Sequence, residues 1–135
     1  MAGLEVHLVT PEREVWTGEA DFLVARAVDG DLGVLPGHAP LLAALDIGPV
    51  YIDAGGSRTA AVVDGGFLHV ADQDDSTRVD ILAEHALLQE ELDQEDPAAC
   101  EQRAEELSAE GRFDEARVEL AKAAARRRVA GNGRG

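Results

Sequence analysis

The fold is decided by the stretch Val50-Tyr51-Ile52-Asp53-Ala54-Gly55-Gly56-Ser57-Arg58-Thr59-Ala60-Ala61-Val62-Val63-Asp64-Gly65-Gly66-Phe67-Leu68-His69-Val70-Ala71. It reads as three short runs rich in β-branched and aromatic residues, over 50–54, 58–63 and 67–71, each of the first two closed by a Gly-Gly pair. Glycine supplies the positive backbone angles that tight hairpin turns need, so both pairs predict hairpins. A polar loop from Asp72 to Thr77 follows, and Arg78-Val79-Asp80-Ile81-Leu82 alternates apolar and polar again. Working toward the N-terminus, Leu4-Glu5-Val6-His7-Leu8-Val9 has the same period of two and stops at Thr10-Pro11. Residues 15–20 and 22–25 read as strand pieces interrupted near Gly18. Several short strands at this spacing predict a β-sandwich or barrel.

The pattern changes near residue 87. After Leu87-Leu88 no glycine occurs until Gly111, and alanine, glutamate and arginine take over. Asp96 followed by Pro97 predicts a helix start, with Asp96 as the cap and Pro97 at the first helical position. Cys100, Ala104 and Leu107 then share one face. Gly111 is the expected stop. A second helix is predicted from about Phe113 to Val129, with Phe113, Ala116, Leu120 and Ala124 as its apolar stripe. Asp114 and Glu115 fall in its first turn and Arg126, Arg127 and Arg128 in its last, as the helix dipole favours. Residues 131–135 are expected to be a frayed tail. The short connection predicts an antiparallel hairpin. Its stripes are narrow and alanine-rich, so at about 25 cal/mol per Å² they contribute only a few kcal/mol. Isolated helices of this length are marginal in water, so the pair needs a docking surface and can exchange between surfaces at low cost.

The 135 residues carry a net charge of −15. Residues 1–88 hold 15 acidic and 4 basic side chains, and residues 89–135 hold 12 and 8. Phosphate backbones would be repelled by the first part, which argues against nucleic acid as a partner. Hydrophobic residues make up 45%, enough for a packed core. The N-terminus has no basic start and no apolar run, so it does not read as a signal peptide. No stretch approaches the ~18 apolar residues of a membrane span, so direct membrane insertion is not expected. Cys100 is the single cysteine, which excludes an internal disulfide. His7, His38, His69 and His85 do not fall in a metal-ligand spacing, and no nucleophile elbow or phosphate loop is present. Trp16 and Tyr51 read as packing residues. No catalytic, metal or cofactor site is therefore expected. Two other readings stay open on these residues: a β-sandwich ligand-binding module with a helical dimerisation tail, and a small hydrolase with an unrecognised acid pair.

One further segment, Gly30-Asp31-Leu32-Gly33-Val34-Leu35-Pro36-Gly37-His38-Ala39-Pro40-Leu41-Leu42, holds three glycines and two prolines among apolar residues. Such a run predicts a specified loop rather than one regular element. It resembles the epsilon-subunit family of F-type ATP synthases, whose pattern is a glycine, an acidic residue, then G-[IVL]-[LY]-P-x-H-x-P-[LF]. The resemblance continues through Asp46 to Val50, Val63 to Val70, Val79 to Glu84, Arg103 to Glu105 and Val118 to Ala123. It implies a sandwich of about ten strands over residues 1–86 and a two-helix regulatory domain over 87–135. It implies a central-stalk subunit without catalytic sites of its own, placed peripherally at the cytoplasmic face of the plasma membrane. The implied partners are the gamma subunit, the c-ring and, through the helices, the alpha–beta hexamer. Asp31, Leu32, Gly33 and His38 are the residues it points to as c-ring contacts, and Arg126, Arg127 and Arg128 as contacts to the hexamer. Some family members bind ATP through D-x-x-R-A at the start of the first helix. Here Asp93-Gln94-Glu95-Asp96-Pro97 puts an aspartate at the arginine position, which predicts weak or absent ATP binding.

Overall fold

The structure is a computed structural model and describes residues 3–94 and 97–132. Eight strands come first: β1 (Leu4–Val9), β2 (Glu14–Ala20), β3 (Phe22–Ala27), β4 (Gly30–Val34), β5 (Leu41–Ala54), β6 (Ser57–Gln73), β7 (Ser76–Ala83) and β8 (Ala86–Leu88). A 3-10 segment, Gln89–Gln94, leads toward α1 (Pro97–Ala109) and α2 (Phe113–Asn132). The strands pair in the order β2-β1-β7-β6-β5-β3-β4, with β8 on β6. β1 and β7 run parallel, and every other described pair is antiparallel. Alternating residues of these strands fill the sandwich core, among them Leu4, Val6, Leu8, Leu23, Ile52, Leu68 and Ile81. Burying one such side chain is worth about 1.5–3 kcal/mol.

The two layers arise because β5 and β6 turn over together. Ala61 and Val63 face the core before Gly65-Gly66, and Leu68 and Val70 face it afterwards, so the inward side changes from odd to even positions. β5 makes the same change, from Leu45 to Val50 and Ile52, while its register with β6 is kept. Gly65 and Gly66 have φ of 89° and 133°. A Cβ on Gly66 would lie 2.1 Å from the Leu82 carbonyl oxygen, so no side chain fits there.

This bend corrects the expectation of a hairpin at 64–66. Gly55-Gly56 does form a two-residue hairpin, with both φ positive and Ala54 opposite Ser57. At Gly65-Gly66 the chain instead continues as one strand, because β5 offers it a partner on both sides of the bend. Among the described residues there are accordingly eight strands rather than about ten. Leu41–Ala54 also continues through Gly48-Pro49, where a Cβ would meet the Arg26 side chain at 3.1 Å. The break expected near Gly18 falls at Asp21. Gly18 lies within β2, and its missing side chain makes room for the Trp16 ring, 3.0 Å from where a Cβ would be. The 30–42 segment is a strand for its first five residues. β4 ends the order of paired strands, and an edge position tolerates its glycines.

In the hairpin, α1 begins at Pro97, and Asp96, the expected cap, lies outside the described residues. α1 ends in a Schellman turn: Arg112 N–H donates to Leu107 O at 2.8 Å and Gly111 N–H to Ser108 O at 3.0 Å, with Gly111 at φ 79°. α1 buries Cys100 and Ala104. The expected stripe on α2 is corrected. Ala116 is buried, but Phe113, Leu120 and Ala124 are exposed. α2 uses Ala116 and Ala123 among its buried positions and seats Ala125 and Val129 on Ala60, Val62, Leu87 and Leu92. Close helix–sheet approach selects small side chains, and the bulky ones are turned outward. α2 also runs to Asn132, beyond the expected end, so the three arginines do not lie in its last turn.

Candidate functional site

The residues expected to touch a ring do not form one cluster. Arg26 and Asp31 are paired across β3 and β4, with the exposed Asp31 carboxylate 3.6 Å from Arg26 Nε. Leu32 is partly buried and packs against the core, while Gly33 is exposed beside the Phe22 ring. His38 lies beyond the far end of β4, in the turn after Val34, while Asp31 is three residues, about 10 Å of strand, before that end. Its backbone N–H donates to Leu35 O at 3.0 Å, and its Nδ1 is 2.8 Å from Ala39 O, so the ring is tied to its own loop. Gly37 N–H donates to Thr77 Oγ1 at 2.8 Å, which fastens this loop to β7. Beside it the β6–β7 turn brings Asp72, Asp74 and Asp75 around a depression of ≈ 750 Å³ that Gly37 also lines. Sequence reading saw 72–77 only as a polar loop; its density of aspartates was the available signal.

A second surface was missed altogether. Phe67 stands opposite Leu82, and Leu42 opposite His69, on the outer face of β5, β6 and β7. Leu42, Phe67 and Leu82 are 67%, 53% and 54% exposed. Val9 and Pro11 continue the patch around an apolar depression of ≈ 380 Å³. The period-two pattern of 67–71 held the signal. If Leu68 and Val70 face inward, Phe67 must face outward, and a large outward apolar side chain calls for a partner.

The three arginines of α2 have three different settings. Arg126 is 1% exposed and its Nη2 donates to Asp64 Oδ2 at 3.2 Å, with Asp64 itself 6% exposed. Arg127 pairs with Glu101 of α1. Arg128 is exposed and shares a depression between α2 and β5 with Arg26 and Asp46. The connection to the hairpin is fixed at its start: both Arg13 amino groups donate to Glu91, at 2.8 and 2.7 Å, and Arg13 also reaches Ala86 O at 3.2 Å. Those bonds from Arg13, then the Leu88 N–H, hold the Glu91 carboxyl below its ordinary pKa. Among the described residues no group of three His, Cys, Asp or Glu side chains is placed to hold a metal ion, and no helix is long and apolar enough to cross a membrane.

A β-sandwich with an uncovered apolar face and a small helical hairpin docked beside it defines an assembly subunit of two parts. Residues 3–89 match the family described as "ATP synthase, Delta/Epsilon chain, beta-sandwich domain". The chain belongs to this family. It is 54% identical over 86 residues to an ATP synthase epsilon chain of Frankia casuarinae, covering 63% of this chain and 96% of the relative. To the ATP synthase epsilon chain of Streptomyces avermitilis it is 44% identical over 82% of this chain and 84% of the other. Among solved structures, a chain of the Euglena gracilis mitochondrial ATP synthase (OSCP/F1/c-ring) superposes with a TM-score of 0.77 at 25% identity, covering 93% of this chain and 79% of that one.

Proposed function

We propose that this chain is the non-catalytic epsilon-type subunit of the central stalk of a proton-translocating ATP synthase, coupling the gamma subunit to the c-ring. Residues 1–86 are the rotor-binding part and 87–135 the regulatory part, whose helices can reach the alpha–beta hexamer; the catalytic sites lie on other subunits. The complex holds it peripherally at the cytoplasmic face of the plasma membrane. The observation that carries the reading is the apolar outer face at Leu42, Phe67 and Leu82, three large side chains more than half exposed on the adjacent central strands β5, β6 and β7, the kind of patch that marks a docking surface. Gamma is its proposed occupant. The end with His38, Asp72, Asp74 and Asp75 is the proposed ring-facing end, where carboxylates suit basic loops, and Asp31, Leu32 and Gly33 lie outside that cluster. ATP binding is expected to be weak or absent, since acidic residues at 93, 95 and 96 repel phosphate.

Co-purification with gamma tests this. Phe67→Ser with Leu82→Ser should abolish a stoichiometric complex, since losing two buried anchors costs about 2 kcal/mol or more each. An undiminished complex from the folded variant would refute the assignment of this face. Removing residues 90–135 should raise ATP hydrolysis by the assembled enzyme; an unchanged rate would count against regulation by the hairpin.

A further inference from the structure

The hairpin is held on the sandwich by little apolar surface. The cluster beneath α2 consists of Ala60, Val62, Leu87 and Leu92 from the strands and the 3-10 segment, and Ala125 and Val129 from the helix, with Ile47 and Tyr51 at its margin. It is separate from the core of the sandwich. Into this small cluster the chain places an ion pair: Arg126 comes from α2, Asp64 from β6 at the bend, and both side chains are out of water. A buried pair of this kind loses two hydration shells when it forms, and its mutual attraction only about offsets that loss. If Arg126 is removed, the Asp64 carboxylate is left buried without its partner, which costs far more. When the helix lifts away, both charges regain water.

We propose that Asp64 and Arg126 form a polar latch that fixes where α2 seats on the sheet while keeping the seating reversible. The pair makes any other registration of α2 expensive, because a shifted helix would bury Arg126 against apolar residues. It adds little net hold in the correct registration, so the hairpin can be released. An apolar pair of similar size would seat the helix more firmly and hold it down. The role given to this latch rests on the regulatory reading of the hairpin; the latch itself can be tested without the assembled enzyme.

The test uses the full chain with Cys100→Ala and a reporter thiol, Ala125→Cys, beneath α2. Its labelling rate by a small thiol reagent reads the fraction of undocked helix. Arg126→Met, which strands the buried Asp64 carboxylate, should speed labelling by about tenfold to a hundredfold. Adding Asp64→Asn to Arg126→Met removes the stranded charge and should return the rate to that of the parent or below it. A second reporter, Val70→Cys in the sandwich core, should stay protected throughout. The proposal is overturned if Arg126→Met labels at the parent rate, if the double variant labels as fast as Arg126→Met, or if Val70→Cys opens in step with Ala125→Cys. These outcomes do not depend on the hydrolysis assay, so failure of the latch and failure of the regulatory reading are separable.

Discussion

Gly66→Ala should be among the most damaging single-methyl changes in the chain. The added carbon would stand 2.1 Å from the Leu82 carbonyl oxygen and 2.8 Å from the Ala83 Cα, both backbone atoms of β7. Neither can rotate away, so β6 and β7 must part where Gly66 faces Ala83. The positive φ of 133° adds strain of about 1–2 kcal/mol for a residue with a side chain. Overpacking of this kind typically costs 1–3 kcal/mol more, and each ladder bond lost costs about 1 kcal/mol. The expected loss is about 4 kcal/mol. Gly56→Ala is the matched control: its φ is also positive, at 83°, but nothing lies within 4 Å of the new carbon, so only about 1 kcal/mol is expected. Trp16, the single tryptophan, lies in β2 against the sandwich core and reports urea unfolding by fluorescence. With a slope of about 2 kcal/mol per M, Gly66→Ala should lower the midpoint by about 2 M and Gly56→Ala by about 0.5 M. Equal midpoints for the two variants would refute the argument that β7 backbone closes on the bend.

Leu68→Ala, at a fully buried position of β6, should cost about 2–5 kcal/mol by the same measurement. Removing residues 90–135 should leave the Trp16 transition cooperative, because the main core is built from strands alone. The Glu91 carboxyl is held below its ordinary value by Arg13, so its contribution is present above the unfolded pKa near 4.5 and is lost as pH falls through the lower folded value. Glu91→Gln should therefore flatten the acid side of the stability profile and leave its shape above pH 5 unchanged. Arg117→Ala, whose partner Asp114 is almost fully solvated, should change stability by less than about 0.5 kcal/mol.

Local signals read well where one neighbour decides the structure. The Gly55-Gly56 turn, the Pro97 start and the Gly111 stop follow from backbone chemistry within a few residues. Gly65-Gly66 and Gly55-Gly56 look alike in sequence and differ in outcome, because the first pair has β5 beside it on both sides of the bend. α2 was misread for a similar reason. Its largest apolar residues, Phe113 and Leu120, suggested the buried side, yet the space between α1 and the sheet admits alanines. Arg126 shows the limit most clearly: three consecutive arginines near a helix end read as charges that suit the helix dipole, yet one of them is buried against Asp64 on a distant strand. Of the candidate site, the His38 loop was legible as a specified turn. Its company of aspartates from β6–β7 depends on a contact made across forty residues, from Gly37 to Thr77.

The parallel ladder between β1 and β7 has a mechanical consequence. Leu4 aligns with Thr77 and Val9 with Leu82, so tension between the start of β1 and the end of β7 pulls the two strands lengthwise past each other. All the rungs then resist together, in shear, where an antiparallel hairpin pulled at its open end would unzip one rung at a time. Any chain meant to carry a twisting load benefits from having its first strand tied in this way to one that enters the domain more than seventy residues later.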